Sequence, residues 1–345
     1  MPEQALPVIW YVLWVVLWVV YFVLDSKTLG LGTLFPFLAR NEREEAALQE
    51  AVGPFWDGDE VWLITAGGAT FAAFPLTYAV MFSALYVPFF LLLFALFYRA
   101  VGLEFMSKVK DPGWHNAWRW AFTVASFLVI LLLGVAFANL FYGLDFDASG
   151  NKTTLFTLLN PYGILGGLTF VTLALLSGTI WGAFKVSGEL EKRLEGYAHT
   201  LWVVALALFS IYMVATANRA SHLLANYNQV PVLYVIPALA LLLLLLVKPL
   251  LSRGAQLGAW LATSGTIALL LVTGFVGLFP NMLYSRTAPE ASITAYQAAA
   301  SPLTQTVMLG VALALVPVVI GYQFWAYKKF SERKIDVEEA KGYGA

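Results

Sequence analysis

Apolar residues in this chain come in long runs, separated by short polar segments. A run of about 17–25 apolar residues is long enough, as a helix, to cross a hydrocarbon core of about 30 Å. Nine such runs are expected: 8–37, 60–74, 78–101, 116–142, 160–184, 198–217, 232–251, 257–279 and 303–327. The second is short and opens on a cluster of acids and tryptophans, Trp56, Asp57, Asp59, Glu60 and Trp62. The six consecutive leucines at 241–246 read as a lipid-facing helix surface. No segment repeats at a fixed short period, and no loop is long enough to fold separately. The expected fold class is therefore an all-α integral membrane protein with nine transmembrane helices in one polytopic domain.

Charge settles how the second run is read. With nine spans, sixteen lysines and arginines fall on one side of the membrane and only Lys152, Arg219 and Arg286 on the other, with Lys27 inside the first span. Leaving out the second run weakens that bias. The positive-inside rule then puts the N-terminus outside and the C-terminus in the cytoplasm. The first run has no basic n-region and no small-residue cleavage site, so a retained span is expected rather than a signal peptide.

Composition narrows the chemistry. The chain is 60% hydrophobic and 12% charged, with a net charge of −1; soluble domains carry about 25% charged residues. A basic footprint for nucleic acid is absent. With no cysteine, disulfides, iron–sulfur clusters, thiolate haem ligands and C-x-x-C-H haem attachment are excluded. The three histidines, His115, His199 and His222, lie near the ends of runs and at no metal-ligand spacing, so no haem or metal centre is expected in this chain. The six methionines read as core filler, and most aromatics at span ends as interfacial anchors.

The buried ionisable groups are more informative. Asp25 follows an uncharged run and lies about 25 Å from its outer end at 1.5 Å per residue. Placing such an aspartate in a membrane costs about 2.5–3.5 kcal/mol, which makes it a candidate functional group facing protein or water. Thr28 shares its helix face, whereas Lys27, two residues on, should not pair with Asp25 directly. Asp59 and Glu60 read as ordinary acids at a helix N-terminus, favoured by the macrodipole. Asp57, fenced by Trp56, is less well explained that way. Asp57 at the inner interface and Asp25 deeper would make a two-step carboxylate path from the cytoplasm. The pair Gly67-Gly68 costs about 1 kcal/mol per residue relative to alanine unless something packs closely on it. A close helix contact within the assembly is expected there, flanked by Trp56 and Trp62.

These residues also carry a family resemblance. WDGDEVWLITAGGATFAAFP at 56–75 closely resembles the signature WDGNxVWLITAGGAxFAAFP of subunit II of cytochrome bd-type quinol oxidases. VLDSKTLGLGTLFPFLARNEREE at 23–45, LLGVAFANLFYG at 132–143, LLNPYGILGGL at 158–168 and FPNMLYS at 279–285 agree in order, and the segment 301–330 follows; the middle, 186–257, agrees least. The resemblance implies two four-helix bundles plus one peripheral helix in a bacterial plasma (inner) membrane. It implies a haem-free subunit beside a sister subunit I, which carries haems b and d, oxidises quinol and reduces oxygen to water. It also implies a proton-uptake route through acids matching Asp57 and Asp25, contact with quinol and lipid, small accessory subunits in some complexes, and in some members a structural quinone. One departure stands out. Asp25-Ser26-Lys27-Thr28 replaces the frequent Asp-Gly-Phe-Asp, so the second aspartate becomes Thr28, which can orient water but cannot titrate near neutrality, and Lys27 adds a charge able to snorkel. Two other readings fit the buried acids: a secondary transporter, for which no inverted repeat is found, and a purely structural scaffold.

Overall fold

A computed structural model describes residues 5–343. Fourteen α-helices follow one another: α1 (Ala5–Leu38), α2 (Glu42–Val52), α3 (Trp56–Ala73), α4 (Pro75–Ala84), α5 (Tyr86–Phe105), α6 (Pro112–Tyr142), α7 (Leu155–Leu158), α8 (Pro161–Lys185), α9 (Glu189–Arg219), α10 (Leu224–Gln229), α11 (Val235–Ser252), α12 (Gln256–Leu278), α13 (Ala295–Ala298) and α14 (Pro302–Ser331). Two small antiparallel pairs interrupt them, β1 (Phe146–Asp147) with β2 (Gly150–Asn151) and β3 (Asn281–Leu283) with β4 (Ile293–Thr294). Among the described residues, eight helices are long and apolar enough to cross a membrane: α1, α5, α6, α8, α9, α11 (from Pro231), α12 and α14. The expected second span is α3, whose 18 residues include three acids in the first five.

The expected third span, 78–101, is divided differently. Pro75 starts α4 at its first turn, and a second break at Leu85 precedes α5, which carries Pro88 in its own first turn. Proline lacks the N–H that an interior position would need, so each proline marks a helix start inside a continuous apolar run.

Packing centres on α1, which lies against α3, α6, α8 and α12. Its closest approach is to α8. A Cβ on Gly30 would sit 1.8 Å from the Ala174 carbonyl oxygen, and one on Gly178 would sit 2.3 Å from the Leu31 nitrogen. Small residues let membrane helices meet backbone to backbone, where dispersion replaces the hydrophobic drive that lipid cannot supply. Of the six-leucine run on α11, only Leu244 is buried, as a lipid-facing surface requires.

The basic connections gather at one end. Arg193 donates to the last-turn carbonyl of α1 at Leu38 (2.7 Å) and to Glu44 (2.8 Å), while Arg119 and His115 meet Glu45 at 2.6 and 2.7 Å. Asn41 caps α2 through Glu44 N–H. The Arg193 bonds hold the Glu44 carboxyl below its ordinary value. The C-terminal segment returns to the same end, where Ile335 N–H donates to the Lys185 carbonyl (2.7 Å). At the opposite end Asp145 and Arg286 form an ion pair at 2.6 Å.

Candidate functional site

The first turn of α3 forms the site. Residues Asp59, Trp62, Ala66, Thr70 and Ala73 make its buried stripe, at the three- and four-residue spacing of one helix face. This stripe faces α1 and α14. Trp62 donates its indole N–H to Gln323 of α14 (2.6 Å), Trp14 of α1 donates to Thr70 (2.7 Å), and Ala300 N–H donates to the Ala73 carbonyl (2.9 Å). The opposite face, with Val61, Ile64 and Phe71, is bare.

Two ion clusters lie side by side where α3 begins. In the first, Asp25 of α1 is fully buried and held by the forked guanidinium of Arg99 of α5, at 2.5 Å from Nη2 and 3.0 Å from Nη1. Thr28 donates to the same carboxylate and accepts from Arg99 Nη2 at 2.7 Å. The Arg99 Nη1 also reaches Glu60, at 2.5 Å. In the second, Lys27 and Asp59, both with no exposed side-chain surface, pair at 2.6 Å. Tyr327 of α14 donates to Asp59 (2.6 Å) and accepts from Lys27 (2.5 Å). The rings of Phe55, Trp181 and Tyr327 surround the ammonium at 5.4, 5.5 and 4.8 Å. Charges withdrawn from water in this way persist only when paired and hydrogen-bonded.

Asp25 and Thr28 are therefore brought together as expected of one helix face, and Lys27 indeed leaves Asp25 for another partner. Asp57 is exposed and does not touch Asp25. It lies one turn before Glu60, on the same side of α3, so the two are neighbours on the helix surface. Trp56 is half-buried against the basic-end core formed by α1, α2 and α8.

The expectation that Asp59 and Glu60 are helix-entrance caps is corrected. The N-cap of α3 is Phe55 and no side chain caps it; the two carboxylates turn to Lys27 and Arg99 instead, because a tertiary cation offers far more than the macrodipole's roughly 0.3–1 kcal/mol. Among the described residues, nothing outside the neighbouring helix backbone comes within 4 Å of a Cβ built at Gly67 or Gly68. Within the chain the backbone-to-backbone contact is made at Gly30 and Gly178 instead, and the Gly67-Gly68 pair looks outward. Arg99, one of the sixteen cations assigned to the basic side, stands inside the apolar run 78–101 and is buried in α5. The signal for it was a buried acid, Asp25, whose one neighbouring cation on α1, Lys27, leaves by another face.

Both ring nitrogens of His115 are engaged, by Met106 O (3.2 Å) and Glu45 (2.7 Å), and His222 stacks on Tyr284 with ring centres 3.9 Å apart in the loop after α9. Among the described residues no group of three or more metal-ligating side chains is placed to hold a metal ion.

Comparison with known proteins bears on this arrangement. The family described as cytochrome bd terminal oxidase subunit II matches residues 6–330. The chain is 36% identical to cytochrome bd-I ubiquinol oxidase subunit 2 of Escherichia coli K12, over 97% of each chain. It is 33% identical to cytochrome bd ubiquinol oxidase subunit 2 of Bacillus subtilis, over 95% of this chain and 97% of that one. Among solved structures it resembles a chain of the bd oxidase from Geobacillus thermodenitrificans with a TM-score of 0.78, covering 96% of this chain and all of the other at 16% identity.

Proposed function

Since the chain belongs to the family of cytochrome bd terminal oxidase subunit II, we propose that it is the haem-free partner of a haem-bearing subunit I and supplies protons from the cytoplasm for oxygen reduction. As a subunit of a cytochrome bd ubiquinol oxidase it belongs to an oxidoreductase complex and is a multi-pass protein of the bacterial inner membrane. The haems b and d sit in subunit I on this reading, and the quinol is oxidised there.

A nine-span architecture, two four-helix bundles and a peripheral helix, is supported by the course of α3. Its first turn bonds the last part of α14 through Asp59 and Tyr327, and its last residue bonds the segment just before α14. At 1.5 Å per residue its 18 residues rise about 27 Å. With an odd number of crossings and the basic connections inside, the N-terminus lies outside and the C-terminus in the cytoplasm. The surface offered to subunit I includes the bare face of α3 with Gly67 and Gly68, and α14, of which only Gln305 and Leu309 are buried in this chain. A structural quinone and small accessory subunits remain part of the family-based reading and rest on no residue named above.

The observation that carries the proton route is the hydrogen-bonded chain from half-buried Glu60 through Arg99 to fully buried Asp25 and Thr28, with exposed Asp57 three residues before Glu60 on the same helix. Chains of intramembrane acids are the usual material of proton relays. The test is oxygen uptake by the assembled oxidase carrying Asp57→Asn. Turnover is expected to fall while the haem spectrum stays intact; unchanged turnover with full haem content refutes the relay.

A further inference from the structure

The two ion clusters at the start of α3 do not balance. Three carboxylates, Asp25, Asp59 and Glu60, face two cations, Lys27 and Arg99. One negative charge is in surplus in a largely buried region, and a surplus like charge favours binding a proton. The donors decide where that proton binds. Asp59 is satisfied by Lys27 and Tyr327. Asp25 takes both arms of the Arg99 fork and the Thr28 hydroxyl. Glu60 receives only Nη1 of Arg99, an atom it shares with Asp25. Its side chain is also the only one of the three with exposed surface, 19% against none for the others. The charged groups that face it are Arg99 of α5, Asp25 of α1 and Asp57 of its own helix, with the Tyr21 hydroxyl of α1 in the same field.

From this asymmetry we infer that Glu60 is the exchangeable proton carrier of the site, the station between Asp57 and the Arg99–Asp25 pair. The inference rests on the relay proposed above and assigns its middle step. In the charged state Glu60 holds one shared bond from Arg99. A proton arriving from water at the Asp57 end forms an O–H bond on Glu60 and cancels the surplus charge. Arg99 then keeps both of its bonds to Asp25, so the buried pair stays satisfied while the Glu60 side chain is released. Loss of the proton to the Asp25 carboxylate, which shares Arg99 Nη1 with Glu60, restores the Arg99 contact. Asp25 keeps its place on Arg99 between transfers, and Glu60 is the carboxylate that changes both charge and contact.

The experiment uses the assembled oxidase with Glu60→Gln and Glu60→Asp, read by oxygen uptake across pH and by redox-triggered infrared difference spectra. For Glu60→Gln, turnover is expected to fall about a hundredfold or more at full haem content, the low end of what a positioned proton-transfer group contributes. The carboxylic C=O band of the parent should be lost in the same variant. Glu60→Asp, which keeps a carboxyl, is expected to retain turnover with a displaced pH profile and a shifted band. Glu60→Gln with parental turnover, pH profile and carboxyl band overturns the inference. If Asp57→Asn is slow while Glu60→Gln is normal, the relay stands and Glu60 is not in it; if both are normal, the relay falls too. Should Glu60→Gln fail to assemble, an unshifted carboxyl band in Glu60→Asp overturns the inference by itself.

Discussion

The Lys27–Asp59 pair makes a quantitative prediction about stability. Both side chains have no exposed surface and meet at 2.6 Å, so no water can replace a deleted partner. Removing one member of such a pair costs about 3–5 kcal/mol, because the other is left as an uncompensated buried charge. The two deletions should differ. In Lys27→Met, Asp59 keeps only the Tyr327 hydroxyl. In Asp59→Asn, Lys27 keeps the Leu24 carbonyl, Tyr327 and three aromatic faces, and each cation–π contact is worth about 0.5–2 kcal/mol. Lys27→Met should therefore be the more damaging. The double variant removes both charges together and should lie close to the parent, so the coupling energy approaches the sum of the two single losses, at least about 6 kcal/mol. Reversible unfolding titration in mixed micelles, with the four members of the cycle in parallel, measures it. Additive losses in the double variant would refute the view that the two charges compensate each other.

Other outcomes follow from the same contacts. Gly30→Ala should prevent stable folding of the chain, since the added methyl would lie 1.8 Å from the Ala174 carbonyl oxygen, whereas a Cβ at Gly68 meets nothing within 4 Å among the described residues, so Gly68→Leu should leave the chain folded but reduce recovery of subunit I in co-purification. Glu44, held below its ordinary value of 4.5 by Arg193, contributes stability that is fully present above that value and is lost as pH falls through its lowered value. Glu44→Gln should therefore flatten the acid limb of the thermal-stability profile below about pH 4.5, and an unchanged limb would exclude the Arg193 clasp as its source.

The helical framework could be read from sequence because hydrocarbon imposes it: each apolar run must close its own backbone hydrogen bonds, so run and helix nearly coincide for α1, α6, α8, α11 and α12. The reading failed between 75 and 88 because apolarity continues through two helix breaks, and only Pro75 and Pro88 record them. In the site, Asp25 was visible through its cost, but its cation lies 74 residues away, a separation no local pattern spans. Asp59 and Glu60 were hidden for the opposite reason. A sufficient local explanation existed, and helix-entrance acids ordinarily need no other. What sequence does supply, once the partners are known, is the angle between them. Adjacent helical residues diverge by about 100° at 3.6 residues per turn. Asp59 and Glu60 therefore cannot serve the same neighbour. One reaches Lys27 of α1 and Tyr327 of α14, the other Arg99 of α5. The first turn of α3 thus ties three helices at once, and of its two buried-side acids only the one turned toward α5 and Asp57 is left with a bond it can give up.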